Sequence, residues 1–245
     1  TYADWAERQY DWMTNVGLIA SNGAVYDGTD VNANCSQINH IQWTYNSGAL
    51  IYGSAVMYNM TGASPKWSNR LTTLLNATSV FIDKDSRVIY EVACEPQGFC
   101  NVDQLAMKAL YARDLALTTV SAPFTADAIA PLLQRSARAA AASCNSASNG
   151  TQCGSQWTLN QFDGTTGLGQ QLSALSVIQN LLVGSTPALR TSSTMTNDTA
   201  GGNGTLAPGP NSTSPGPVVS TGGAGRMVAS VSTAVLLMFA VQCLI

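Results

Sequence analysis

Apolar residues recur at helical spacing along most of the first 183 positions. Trp5, Gln9, Trp12, Met13 and Val16 fall at i, i+4, i+7, i+8 and i+11, one stripe of a helix that Gly17 ends. Ala20 to Asn34 is extended and turn-rich, with Asn22-Gly23 and Asp27-Gly28 as turn signals. The pattern predicts a second helix over Ile38 to Met60, with Ile41, Tyr45, Gly48, Ala49, Tyr52, Ala55, Val56 and Asn59 on its face. Small residues on that stripe let a neighbouring helix come close. A third helix follows Pro65, with Trp67, Leu71, Leu74 and Leu75 opposite Asn69, Arg70, Thr72 and Thr73. Phe81 to Cys94 reads as short strands about a turn at Asp83-Lys84-Asp85-Ser86. The fourth helix, Asn101 to Thr118, is apolar almost all round and therefore buried on most sides. The fifth runs from Thr125 to Ser143, with Asp127 in its first turn near the positive end of the helix dipole. The sixth starts near Gly167 and carries Leu168, Leu172, Leu175, Ile178 and Leu182.

The six helices alternate in character. The first, third and fifth have a charged face; the second, fourth and sixth are small, apolar and poor in charge. That is the pattern of outer and inner helices in a toroid of αα-hairpins. Three outer–inner pairs are half of a six-pair ring. The expected fold class is all-α: half of an (α/α)6 toroid over residues 1–183, with short β-hairpin loops. Its inner helices would then be exposed on the open side, a larger apolar patch than a soluble monomer tolerates. From 184 to 225 the chain is Ser, Thr, Gly, Pro and Asn, a disordered, glycosylated stalk.

Residues 226–245 change the picture again. Val228 to Ile245 is mostly apolar, and Ser220 to Gly225 is a run of small residues. A small-residue site, a spacer and a terminal apolar tail make a GPI-attachment signal, with the anchor expected within Ser220 to Gly223. Thr1 to Gly17, with Asp4, Glu7, Arg8 and Asp11, does not read as a signal peptide. The chain is therefore expected to be the C-terminal part of a longer secreted protein, GPI-anchored to the plasma membrane, the cell wall or both. Seven sequons agree: Asn34, Asn59, Asn76, Asn149, Asn197, Asn203 and Asn211. Cys94 with Cys100, and Cys144 with Cys153, bracket short loops that disulfides would close in an oxidising compartment. Cys243 lies in the tail, which leaves Cys35 either a buried thiol or bonded to a cysteine upstream of this chain. The net charge of −3 offers no basic patch for nucleic acid. His40 is the only histidine and no CxxC pair exists, so neither zinc nor another cofactor is expected.

Several blocks together resemble one family. They are Val25-Tyr26-Asp27-Gly28, Cys35, Ile41 to Gly48, Glu91 to Glu95, Cys100 to Gln104, Ala122 to Thr125, Asp163 to Thr165 and Gly167 to Leu175. Their order and residues are similar to fungal glycoside hydrolase family 76, the alpha-1,6-mannanase-like wall proteins of the Dfg and Dcw type. The resemblance implies an (α/α)6 barrel whose cleft binds alpha-1,6-mannan or a GPI glycan. It implies a retaining hydrolase or transglycosylase in cell-wall assembly. The family's catalytic pair is two consecutive Asp residues in the N-terminal half. No two acidic residues are adjacent here. No catalytic residue is assigned, and the pair is expected upstream of residue 1.

Glycoside cleavage needs two carboxyl groups, and the acids here have blander roles open to them. Asp103 is either a helix-start acid or a sugar contact. Asp27 and Asp163 precede Gly and suit turns; Glu91 and Glu95 flank Cys94 and suit loop support. The substrate-binding candidates are Trp43, Tyr45, Asn46, Asp103, Gln104 and Gln170, aromatic, amide or carboxylate groups near the starts of inner helices. Tyr45 also shares the apolar stripe and suits core packing. The alternatives to an enzyme are a GPI-anchored protein that only binds mannan, or a structural mannoprotein.

Overall fold

A computed structural model describes residues 1–144 and 151–185. The stalk beyond Ser185, the tail 226–245, Cys243 and the sequons at Asn149, Asn197, Asn203 and Asn211 lie outside the described residues.

Six α-helices carry the fold: α1 (Tyr2–Asn15), α2 (Thr44–Met60), α3 (Pro65–Ala77), α4 (Met107–Ser121), α5 (Ala126–Ser143) and α6 (Leu168–Gln179). A small antiparallel pair, β1 (Gly28–Thr29) and β2 (Ile38–Asn39), lies between α1 and α2. α1 opens with a capping box in which the Thr1 hydroxyl and the Asp4 amide and carboxylate satisfy each other. α3 opens on Pro65, whose missing N–H costs nothing at that position.

The inner layer is α2, α4 and α6, with α4 in the middle, packed on both others. Gly48 makes the α2–α4 approach possible. A Cβ there would lie 3.1 Å from Tyr111 Cδ2 and 3.2 Å from its Cα. Gly169 does the same for α6, where a Cβ would meet Leu105 Cβ at 2.8 Å. The Ser173 hydroxyl donates to the Leu105 carbonyl and the Ser176 hydroxyl to that of Ala109, each at 2.8 Å. Successive residues of α6 thus meet successive residues of α4, so the two helices run in the same direction. At the far end Tyr58 of α2 packs edge-on against Phe124, just past α4, at 5.1 Å between ring centroids. α2 is therefore parallel to both, and the helices start at one rim and end at the other.

The outer layer is held by mixed chemistry. Arg70 of α3 sits over the rings of Tyr10 and Trp67 and pairs with Glu7 and Asp11 of α1; Lys66 also reaches Glu7. Trp67, Leu71 and Leu74 turn inward from α3 to a core containing Phe81, Ile89, Tyr111, Leu115 and Trp157. Each large aliphatic buried there contributes roughly 1.5–3 kcal/mol.

The structure departs from the sequence pattern in several places, and Phe81 to Cys94 forms only an isolated bridge, Ile82 to Ile89, rather than strands. The second helix starts at Thr44, not Ile38, because Ile38–Asn39 pairs with β1 and Asp27 N–H donates to the Asn39 and Ile41 carbonyls. Its buried face holds Thr44, Ser47, Gly48, Ile51, Ser54 and Ala55, so Tyr45, Ala49, Tyr52 and Val56 are only half-buried. The fourth helix starts at Met107 after a 3-10 turn, Gln104–Ala106. Asn101 and Gln104 exchange amide-to-side-chain hydrogen bonds there and close a turn of their own. In α6 the buried face is the one made of small and polar residues. Gly169, Gln170, Ser173, Ala174 and Val177 are buried, while Leu168, Leu172, Leu175 and Leu182 are 80%, 44%, 57% and 62% exposed. The helical pattern is right, but the apolar stripe faces solvent. A 3-10 turn, Asn180–Ser185, also carries ordered chain two residues into the segment read as stalk.

Candidate functional site

Because the inner helices are parallel, their N-termini gather at one rim with the segments that precede them. All six binding candidates fall on this rim, which is a consequence of topology. Trp43 caps α2 in an extended conformation and is buried, 8% exposed. Tyr45 and Asn46, in the first turn of α2, are half-buried. Burial, and then the charge of Asp27, pushes the Tyr45 phenol up. The Asn46 side-chain nitrogen is buried without a hydrogen-bond partner. Asp103 is exposed, Gln104 closes the turn before α4, and Gln170 is buried beneath the first turn of α6. The rim thus presents Tyr45 and Asp103 outward, and sets Trp43 and Gln170 one layer down.

Beneath the rim lies a buried polar chain that ties the starts of α2 and α4 to the loops around them. Glu91 is wholly buried; the Thr44 amide donates to its Oε1 (3.1 Å) and the Thr44 hydroxyl to its Oε2 (2.5 Å). It caps α2 from another segment. Burial drives its carboxyl up to about 7, against the pull of the two Thr44 hydrogen bonds. Glu95, one turn further on, pairs with Lys108 in the first turn of α4. The Lys108 ammonium also donates to the Ser155 carbonyl (2.6 Å) and lies 4.0 Å from the centre of the Trp157 ring. Asp163 completes the chain by accepting from the amides of Ser155, Gln156 and Thr165, each at 2.8 Å. Burial opposes its charge, but these bonds hold its carboxyl below the usual range. Glu91, Glu95 and Asp163 are therefore supports of the rim, as their loop positions suggest. The Cys94–Cys100 disulfide closes the loop between the two glutamates and α4, and Cys144–Cys153 closes the second.

Lys108 is the residue that the pattern hides. It sits in a mostly apolar helix, and its signal is that a buried cation there must have a partner. Asp27, Asp30, Gln37 and Asn39 line a separate open hollow of about 550 Å³ between β1 and β2. Asn39 donates to Asp27 and Asp30 caps its own turn, so both acids have structural partners. His40 packs on the Tyr26 ring at the surface. Cys35 is disulfide-bonded, which removes the free-thiol alternative.

Comparison with known proteins places this arrangement. The model of glycosyl hydrolase family 76 matches residues 1–193. The chain belongs to glycosyl hydrolase family 76. It is 45% identical over 190 residues to the mannan endo-1,6-alpha-mannosidase DFG5 of Saccharomyces cerevisiae, covering 77% of this chain and 41% of that protein. It is 41% identical over 250 residues to the mannan endo-1,6-alpha-mannosidase DCW1 of Candida glabrata, covering 99% of this chain and 54% of the relative. The crystal structure of Dfg5 from Chaetomium thermophilum in complex with glucosamine superposes with a TM-score of 0.73 at 38% identity, covering 79% of this chain and 48% of that one. The chain thus spans about half the length of the relatives it matches. The all-α class is shared with that solved family member.

Proposed function

We propose that this chain is the C-terminal part of a cell-surface glycoside hydrolase that cleaves or transfers alpha-1,6-mannosidic linkages of mannan or a GPI glycan during fungal wall assembly. The family match over residues 1–193 carries the reading. The rim of α2, α4 and α6 supplies one wall of the cleft. Tyr45 offers a sugar a ring face, Asn46, Asp103 and Gln104 offer polar groups to its hydroxyls, and the buried Gln170 supports the start of α6. Trp43 backs the start of α2 from below. No two acidic residues are adjacent in this chain, so the consecutive-Asp pair comes from an upstream half of the same domain. Asn34, Asn59 and Asn76 are exposed and suit glycosylation.

The complete protein, purified and folded, is expected to release or transfer alpha-1,6-linked mannose oligomers with retention of configuration. This chain alone is expected to release none. A folded complete protein that binds mannan without turning it over would favour the second reading, a non-catalytic mannan-binding wall protein.

A further inference from the structure

The three described sequons place their asparagines alike and their hydroxyls differently. Asn34, Asn59 and Asn76 are all exposed. An acceptor of this kind is read through its Asn and through the Ser or Thr two residues on, and it belongs to surface loops. Ser36 follows a 3-10 turn, Val31–Ala33, and Thr61 caps α2; both are exposed. Each gives its hydroxyl to a carbonyl of its own turn, Ser36 to Ala33 at 2.6 Å and Thr61 to Met57 at 2.7 Å. One such bond is weak, and a turn or helix end opens locally without disturbing the core.

Thr78 is different. It caps α3, two residues past Asn76, and is only 6% exposed. Its hydroxyl donates to the Leu75 carbonyl at 2.7 Å, and it lies next to the wholly buried phenol of Tyr111 in α4. It opens a 3-10 turn, Thr78–Phe81, whose buried Phe81 ring meets the Tyr111 ring edge-on, 5.8 Å between centroids. Leu71 and Leu74 of α3 are buried in the same core. Presenting Thr78 to an enzyme therefore means lifting the end of α3 off α4. That is an opening of the core, far rarer than the fraying of a helix end. Further chain packed on this one adds cover to Thr78 and takes none away.

We infer that Asn76 accepts its glycan only before α3 packs on α4, so that its occupancy is set by a race between transfer and folding, while Asn34 and Asn59 remain acceptors in the folded chain. In the transfer, the Asn76 amide nitrogen bonds to the anomeric carbon of an oligosaccharide carried on a lipid pyrophosphate. The bond from that carbon to the pyrophosphate oxygen breaks, the lipid pyrophosphate leaves with the bonding pair, and the amide gives up one proton. The inference rests on the reading of a secreted, glycosylated protein and adds which site folding closes.

The test makes the complete protein in a cell-free system supplied with secretory-pathway membranes. Transfer either runs during synthesis or is blocked by an excess of a competing acceptor peptide until folding is complete, and is then released. Mass spectrometry of each sequon's peptide reads its occupancy. Prompt transfer should fill all three sites. Late transfer should fill Asn34 and Asn59 but leave Asn76 lower by roughly tenfold or more. Leu71→Asp, which sets a charge in the α3 core face, should restore late filling of Asn76. Late filling of Asn76 equal to that of its neighbours in the wild type overturns the inference. So does equal late loss at all three, which puts the barrier elsewhere than Thr78, and so does a Leu71→Asp chain that still refuses Asn76. Sites left empty even by prompt transfer would overturn the secreted, glycosylated reading, and the inference with it.

Discussion

Glu91 is an acid whose surroundings favour its proton. Protonated, it still accepts from the Thr44 amide through Oε1, and it can donate through Oε2 to the Thr44 hydroxyl. Lys108 pulls the other way but is already engaged by Glu95. A carboxyl whose folded-state value is raised from 4.5 to about 7 holds its proton where the unfolded chain has lost it. Its contribution is therefore full below pH 4.5, falls as pH rises to about 7, and is flat beyond, by about 3 kcal/mol in all. Glu91→Gln keeps an acceptor for the amide and a donor for the hydroxyl, and it does not ionise. Thermal melts of the complete protein from pH 4 to 8 should show a shallower decline for Glu91→Gln, with the variant at least as stable as wild type at pH 8. Parallel curves for the two proteins would refute the shift.

The elements show what sequence can and cannot reveal. α1, α3 and α5 were legible because each has one water-facing side, so a period of 3.6 and a cap suffice to place them. α2 begins six residues later than the pattern suggests, because a pairing with β1 claims Ile38–Asn39, and pairing depends on a distant strand. Lys108 and its partners were illegible for a related reason. Glu95, Ser155 and Trp157 meet Lys108 only because two loops fold over the start of α4. The six rim candidates share one rim because the inner helices are parallel; how deep each lies depends on those same loops. The Lys108–Glu95 pair is where this assembly can be broken. Lys108→Met should destabilise the complete protein by about 3–5 kcal/mol in urea unfolding, since it strands a buried carboxylate. Adding Glu95→Gln should recover much of that loss. A double variant as weak as the single one would place the cost in the packing against Trp157 instead.

At the scale of the whole molecule, the leucines of α6 carry the argument. Leu168, Leu172 and Leu175 share one face of a helix whose opposite face is already filled by α4 and α5. Among the described residues nothing covers them, and contiguous apolar surface of that kind drives association. The same leucines in a completed ring would be core. The two situations give opposite signs for one pair of substitutions. In the chain alone, Leu172→Gln with Leu175→Gln should leave the melt nearly unchanged and reduce concentration-dependent association in sedimentation. In the complete protein, the same pair should cost roughly 2 kcal/mol or more for each leucine, because each then leaves a cavity and a buried amide. A loss in both settings would mean that the leucines are packed within this chain. A loss in neither would mean that no other part of the protein covers α6.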